Sequence, residues 1–86
     1  MRTIYKYELK DSVCKLHLPL GAEVVMAGGQ VGAVFIWALI NNEQQETRER
    51  TFLVHPTGHA VSDYEVYVGT AMLFNDSLVL HVFEKT

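Results

Sequence analysis

The sequence predicts an all-β fold, a small antiparallel β-sandwich or partly open barrel of about seven strands. Three observations predict it. Apolar and polar residues alternate with a period of two through several short stretches. Turn-forming Asp, Asn, Ser, Gly and Pro residues separate those stretches at short intervals. No stretch sustains a helical period, and no internal repeat is present.

Taken in order, Thr3 to Leu9 places Thr3, Tyr5, Tyr7 and Leu9 on one face and Ile4, Lys6 and Glu8 on the other, the pattern of a half-buried strand. Lys10, Asp11 and Ser12 form a turn. Val13 to Leu18 points Cys14, Leu16 and Leu18 inward and Lys15 and His17 outward, and Pro19 ends the strand by removing a donor. Gly21 lets the chain change direction. Glu23 to Gln30 is a third strand, in which Gly28 and Gly29 signal a bulge or the close approach of another backbone or a ligand. Val31 and Gly32 make a tight turn into the next strand, with a turn at Gly28 and Gly29 as the rival placement.

The central strand is Ala33 to Asn41, reading AVFIWALIN. Phe35, Trp37 and Leu39 share one face and Val34, Ile36, Ala38 and Ile40 the other. Neither face is polar, so cover is expected on both sides. Its β-branched and aromatic residues favour strand over buried helix, and it is far short of a membrane span. The polar run from 41 to 48 is a solvated loop. Glu49 to His55 is the fifth strand, with Arg50, Phe52 and Val54 opposite Thr51, Leu53 and His55. Residues 56–63 form a loop marked by Pro56, Gly58, Ser62 and Asp63. Glu65 to Phe74 is a strand with a bulge or close approach at Gly69. Asn75, Asp76 and Ser77 turn the chain into Leu78 to Glu84, where Leu78, Leu80 and Val82 oppose Val79, His81 and Phe83.

A chain of 86 residues makes one domain, 1–86. Its net charge of -3 lacks the basic stripe of a general nucleic-acid binder. A single cysteine, Cys14, excludes an internal disulfide and a cysteine-rich zinc site, and fits a reducing compartment. The N-terminus, with alternating charges and no apolar core segment, does not read as a signal peptide, so a cytosolic protein is expected. Apolar residues on both faces of the fourth and seventh strands exceed what one small sandwich covers, which points to a homo-oligomer contact.

The candidate chemistry is sparse. His55 and His59 flank Gly58 with His81 or Asp63 as a conceivable third metal ligand, but the four histidines have no recognised spacing, and no metal or cofactor is expected. Cys14 sits on an inward face as a small hydrophobe, and Ser62 and Ser77 lack a nucleophile-elbow context. Asp63, Glu65 and Glu84 read as solvated charges near strand ends. Arg48 and Arg50 lie two apart on one side of a strand, the spacing of a phosphate or carboxylate clamp. Backbone N–H groups at Thr57, Gly58 and His59 would add donors to an anion, and Trp37 or Tyr67 would stack a base. The plainer account pairs Arg48 and Arg50 with Glu43, Glu46 or Glu49 at the surface. The clamp requires the arginines and the loop to meet in space.

Seven short segments occur in order over nearly the whole chain: Ile4-Tyr5-Lys6-Tyr7, Leu18-Pro19-Leu20-Gly21-Ala22, Trp37-Ala38-Leu39, Glu49-Arg50-Thr51-Phe52, Thr57-Gly58-His59, Val68-Gly69-Thr70 and His81-Val82-Phe83-Glu84. Together they resemble a family of small uncharacterised proteins of tailed bacteriophages and prophages. That family usually carries Gly-Thr-Gly-His where this chain has His55-Pro56-Thr57-Gly58-His59, and proline there stiffens the loop and removes a donor.

The resemblance implies a phage-encoded accessory protein of the host cytosol, and by class a counter-defence protein without catalytic apparatus. In one form it sequesters a signalling nucleotide, with Arg48, Arg50, His59 and an aromatic residue holding phosphates and base. In the other it occupies a host defence protein through its apolar and acidic surface. The alternative is a phage structural or assembly module that forms a β-rich homo-oligomer. A small hydrolase centred on His59 is a third reading.

Overall fold

The computed structural model describes all 86 residues. Seven strands follow one another without a helix: β1 (Arg2–Leu9), β2 (Val13–Pro19), β3 (Glu23–Gln30), β4 (Ala33–Asn41), β5 (Thr47–Pro56), β6 (Glu65–Leu73) and β7 (Leu78–Lys85). They form two antiparallel sheets, β1-β4-β3 and β2-β5-β7-β6, not closed into a barrel. No helix is long and apolar enough to cross a membrane.

Alternation along each strand decides what lies between the layers. In the three-stranded sheet, Val34, Ile36, Ala38 and Ile40 point inward, with Leu9 and Ala27 beside them. In the four-stranded sheet, Cys14, Leu18, Phe52, Ala71, Leu73 and Val82 meet them, and Phe52, Leu18, Ile36 and Val82 are the largest side chains fully removed from water. Burying each is worth about 1.5–3 kcal/mol, so this layer carries the stability. No polar or charged residue is buried there. Cys14 closes the β1–β2 turn from inside: its Sγ accepts from the Asp11 N–H at 3.3 Å and donates to the Asp11 carbonyl at 3.2 Å.

The bulge expected beside Gly69 occurs, whereas β3 bulges away from Gly28 and Gly29, and Gly29 serves the close approach that was the other expectation there. The β3 register shifts between Val24 and Met26, and the β6 register shifts between Tyr67 and Gly69. Gly29 and Gly69 lie where β3 crosses β6. A Cβ on Gly69 would sit 2.9 Å from the Ala27 Cβ and 3.1 Å from its backbone nitrogen, and one on Gly29 would strike Leu73 and the Met72 carbonyl. The two layers therefore touch backbone to backbone along this edge.

The turn between β3 and β4 is Val31–Gly32, not Gly28–Gly29, and both residues have positive φ, 51° and 75°. That is the two-residue hairpin turn whose twist matches its strands. The loop after β4 is shorter than the polar run implied, because Thr47 and Arg48 already pair with Pro19 and Leu18 in β2.

One expectation about β4 is corrected. Its even-numbered face is covered, but Phe35, Trp37 and Leu39 lie on the outer face of the three-stranded sheet, half-buried, with no second layer over them.

Candidate functional site

The residues singled out from the sequence fall at three separate places. Arg48, Arg50 and Tyr67 line a depression at one end of the sandwich, with Ala22, Glu84 and Thr86. His55 and His59 line a cleft of about 700 Å³ that shares no residue with that depression. His55 and Thr57 engage partners on β6 and β7. Trp37 is on the outer face of the other sheet.

The clamp does not assemble, and the chemistry of Arg50 shows why. As part of the inward face of β5, its guanidinium is enclosed at the end of the core, with 17% of its side chain exposed. Nε and Nη2 donate to Glu84 at 2.6 and 2.8 Å, and Nη1 donates to the Ala22 carbonyl at 2.6 Å. The Glu84 hydrogen bond raises the Arg50 pKa above its ordinary value against the opposing effect of burial. Arg50 is thus a structural cation joining β5, β7 and the start of β3, with three of its five N–H donors held by those partners. The surface partners expected for it, Glu43, Glu46 and Glu49, are not the ones used. Glu84 and Glu65, read from the sequence as solvated charges, are both largely enclosed, at 19% and 7% side-chain exposure.

On the outer face of the four-stranded sheet, neighbouring strands bring a polar and aromatic network together. His55 pairs in register with His81, and Thr70 lies on the other side of His81. His55 Nε2 donates to Glu65 Oε1 at 2.6 Å, and the Ser62 N–H donates to Glu65 Oε2 at 2.9 Å. The His55 contact, and then the Ser62 one, holds the Glu65 carboxyl below its ordinary range. The His81 ring joins Thr57 Oγ1 at 2.8 Å and Thr70 Oγ1 at 3.2 Å, and Thr70 in turn meets the Tyr67 hydroxyl at 2.6 Å. Phe83 lies edge-on to both His55 and Tyr67, with centroids 5.7 and 5.6 Å away. These side chains satisfy one another and tie the 57–64 loop to the sheet. No group of three or more His, Cys, Asp or Glu side chains converges as a metal site.

The outer face of the three-stranded sheet is different in character. The register sets Ile4 beside Leu39, and Trp37 between Lys6 and Met26. Ile4 and Met26 are 56% and 55% exposed, and Phe35, Trp37 and Leu39 lie between and beside them. Phe35 and Trp37 are tilted together at 6.1 Å, and Lys6 lies 4.7 Å over the Phe35 ring while bonding Gln30 at 3.0 Å. Gly28 leaves room for Met26 and Trp37: a Cβ there would sit 3.2 Å from Met26 Cε and 3.6 Å from the indole. Five apolar side chains thus form one surface without an internal partner. The sequence signal was present in the two apolar faces of AVFIWALIN.

A family model described as a domain of unknown function (DUF7352) matches residues 1–86, and the chain belongs to that family. No curated protein and no solved structure matches the chain.

Proposed function

We propose that this DUF7352 member is a non-enzymatic binding protein that works by protein contact through the outer face of its three-stranded sheet. The observation that carries the reading is the continuous apolar surface of Ile4, Met26, Phe35, Trp37 and Leu39, uncovered by any element of the chain. Contiguous exposed apolar surface marks an interaction site, and aromatic and Met side chains are enriched at the centres of interfaces. The first occupant proposed is a second copy of the chain; a host protein is the second. The phage setting, the host cytosol and the counter-defence role come from the family resemblance in the sequence. Of the two counter-defence forms, protein contact has the better support, because nucleotide capture relied on Arg50, three of whose five N–H donors are held by Glu84 and Ala22.

Solution mass and a double substitution test this. The wild type should exceed the 9.7 kDa monomer mass, alone or with a host protein retained on it. Ile4→Lys with Met26→Lys, both at exposed positions, should return the monomer and release the host protein. Restored plating of a defence-restricted phage on cells expressing the wild type, lost with the double variant, would tie contact to counter-defence. A wild type that is monomeric, retains nothing and behaves as the variant does would overturn the reading. A nucleotide-dependent rise in Tm would favour sequestration instead.

A further inference from the structure

The cleft at the far end from Arg50 has features that neither the core nor the outer face explains. It lies where β5 runs on to Pro56 beyond the start of β2 at Val13, the last link there being the Val54 N–H to the Ser12 carbonyl at 2.9 Å. Its volume of about 700 Å³ is within the range of ligand-sized sites. Leu9, Val34 and Leu73, each about 5% exposed, belong to its lining, as do Leu78, Leu80 and Phe74.

Two hairpin turns, one from each sheet, meet beside this opening. Val31 is fully exposed at φ 51°, and Phe74 is 63% exposed at φ 53°. Both occupy the left-handed region, where a β-branched residue is an outlier and bulky apolar residues are uncommon. Phe74 begins a run of three such residues with Asn75 and Asp76. Its ring lies over Gly32, 3.3 Å from where a Cβ would stand. Large apolar side chains therefore project from two adjoining turns whose backbone favours Asn or Gly. Strained backbone of this kind gathers at binding sites.

Charge selects the occupant. Glu8 and Asp11 line the cleft against one lysine, Lys10, and Asp76 adds a third carboxylate in the adjoining turn. We infer that the cleft seats an apolar peptide segment flanked by basic residues on a partner polypeptide, gripped at its lip by Val31 and Phe74. An acidic lip disfavours an anionic lipid surface and favours lysine or arginine beside the apolar anchor. This inference does not depend on the outer-face contact.

The probe is a dansyl-labelled peptide with a Leu-Phe-Leu centre and two lysines on either side, followed by fluorescence anisotropy, with a glutamate-flanked peptide as companion. Saturable binding of the lysine-flanked peptide, weakened by salt, is expected. Binding of the glutamate-flanked peptide should be weaker by roughly tenfold, as two surface charge pairs turn from attraction to repulsion. Phe74→Gly and Val31→Asn suit the backbone at their positions and should retain the strand circular dichroism while weakening the peptide. The Ile4→Lys, Met26→Lys variant should bind it as the wild type does, which separates this site from the outer face. No saturable binding, equal binding of the two peptides, binding unchanged in both lip variants, or preference for phosphatidylserine vesicles over the peptide would each overturn the inference.

Discussion

Replacing Val31 with Asn should make the protein more stable, although it exchanges an apolar residue for a polar one. Val31 is the first central residue of the β3–β4 hairpin turn at φ 51°, and its side chain is fully exposed. Exposure means that truncation loses no packing, so the transfer term that dominates core substitutions is absent. What remains is backbone conformation. A left-handed residue with a Cβ costs roughly 1–2 kcal/mol. Asn bonds its own local backbone and recovers much of this, which is why Asn-Gly leads at such turns. Gly32, at φ 75°, already supplies the second half of the pair. The net gain is about 1 kcal/mol, equivalent to a Tm rise of roughly 4–8 °C for a domain of this size. Thermal unfolding followed by circular dichroism at neutral pH measures it. Gly32→Ala is the opposing control, because positive φ and the Phe74 ring at 3.3 Å both resist a Cβ. An unchanged or lower Tm for Val31→Asn would show that the turn is not strained and would remove one support of the peptide-lip proposal.

Two further outcomes follow from the ion pairs. Arg50→Ala leaves the Glu84 carboxylate and the Ala22 carbonyl without their donor, and with both side chains of the pair under one-fifth exposed the loss should be about 2–3 kcal/mol in urea unfolding; the exposed Arg48→Ala should change less than about 0.5 kcal/mol, and equal effects would contradict the structural role given to Arg50. Glu65 has its folded-state pKa depressed below 4.5 by His55 and Ser62, so its stabilising contribution is present above about pH 4.5 and is lost as pH falls through the lower folded value. Glu65→Gln should therefore unfold at lower temperature than the wild type near neutral pH, with the gap closing in acid; a gap that widens in acid would reverse the sign of the argument.

What could be read from the sequence was the inside and outside of each strand. Period-two alternation in Val13–Leu18 and Leu78–Glu84 assigns faces correctly because the pleat enforces it, and Val31–Gly32 was legible as a turn because the apolar run resumes immediately after it. Neighbour relations were not legible in the same way. Arg50 meets Glu84, 34 residues away, only because the order β2-β5-β7-β6 sets β5 against β7. Local charge at Glu46 and Glu49 offered nearer partners, and nothing in strand pattern ranks a distant carboxylate above them. The same holds for His55 and Glu65, which face each other across β7 while adjoining one loop in sequence. The separation of Arg50 from His59 has the same cause: β5 is ten residues long, and His59 lies beyond its far end. The clamp requires the arginines and the loop to meet in space, and an extended strand carries its two ends apart.

The glycine crossing of β3 on β6 leaves the sandwich fastened along one flank, while β1 and β2 at the opposite flank share a turn but no strand pairing. A fluctuation that parts the layers must pivot on the fastened side, as a book opens away from its spine. Tyr7, half-buried on the inward face of β1, is the page that water reaches first. Amide hydrogens of β1 and β2 should therefore exchange through smaller openings than those of β3 and β6.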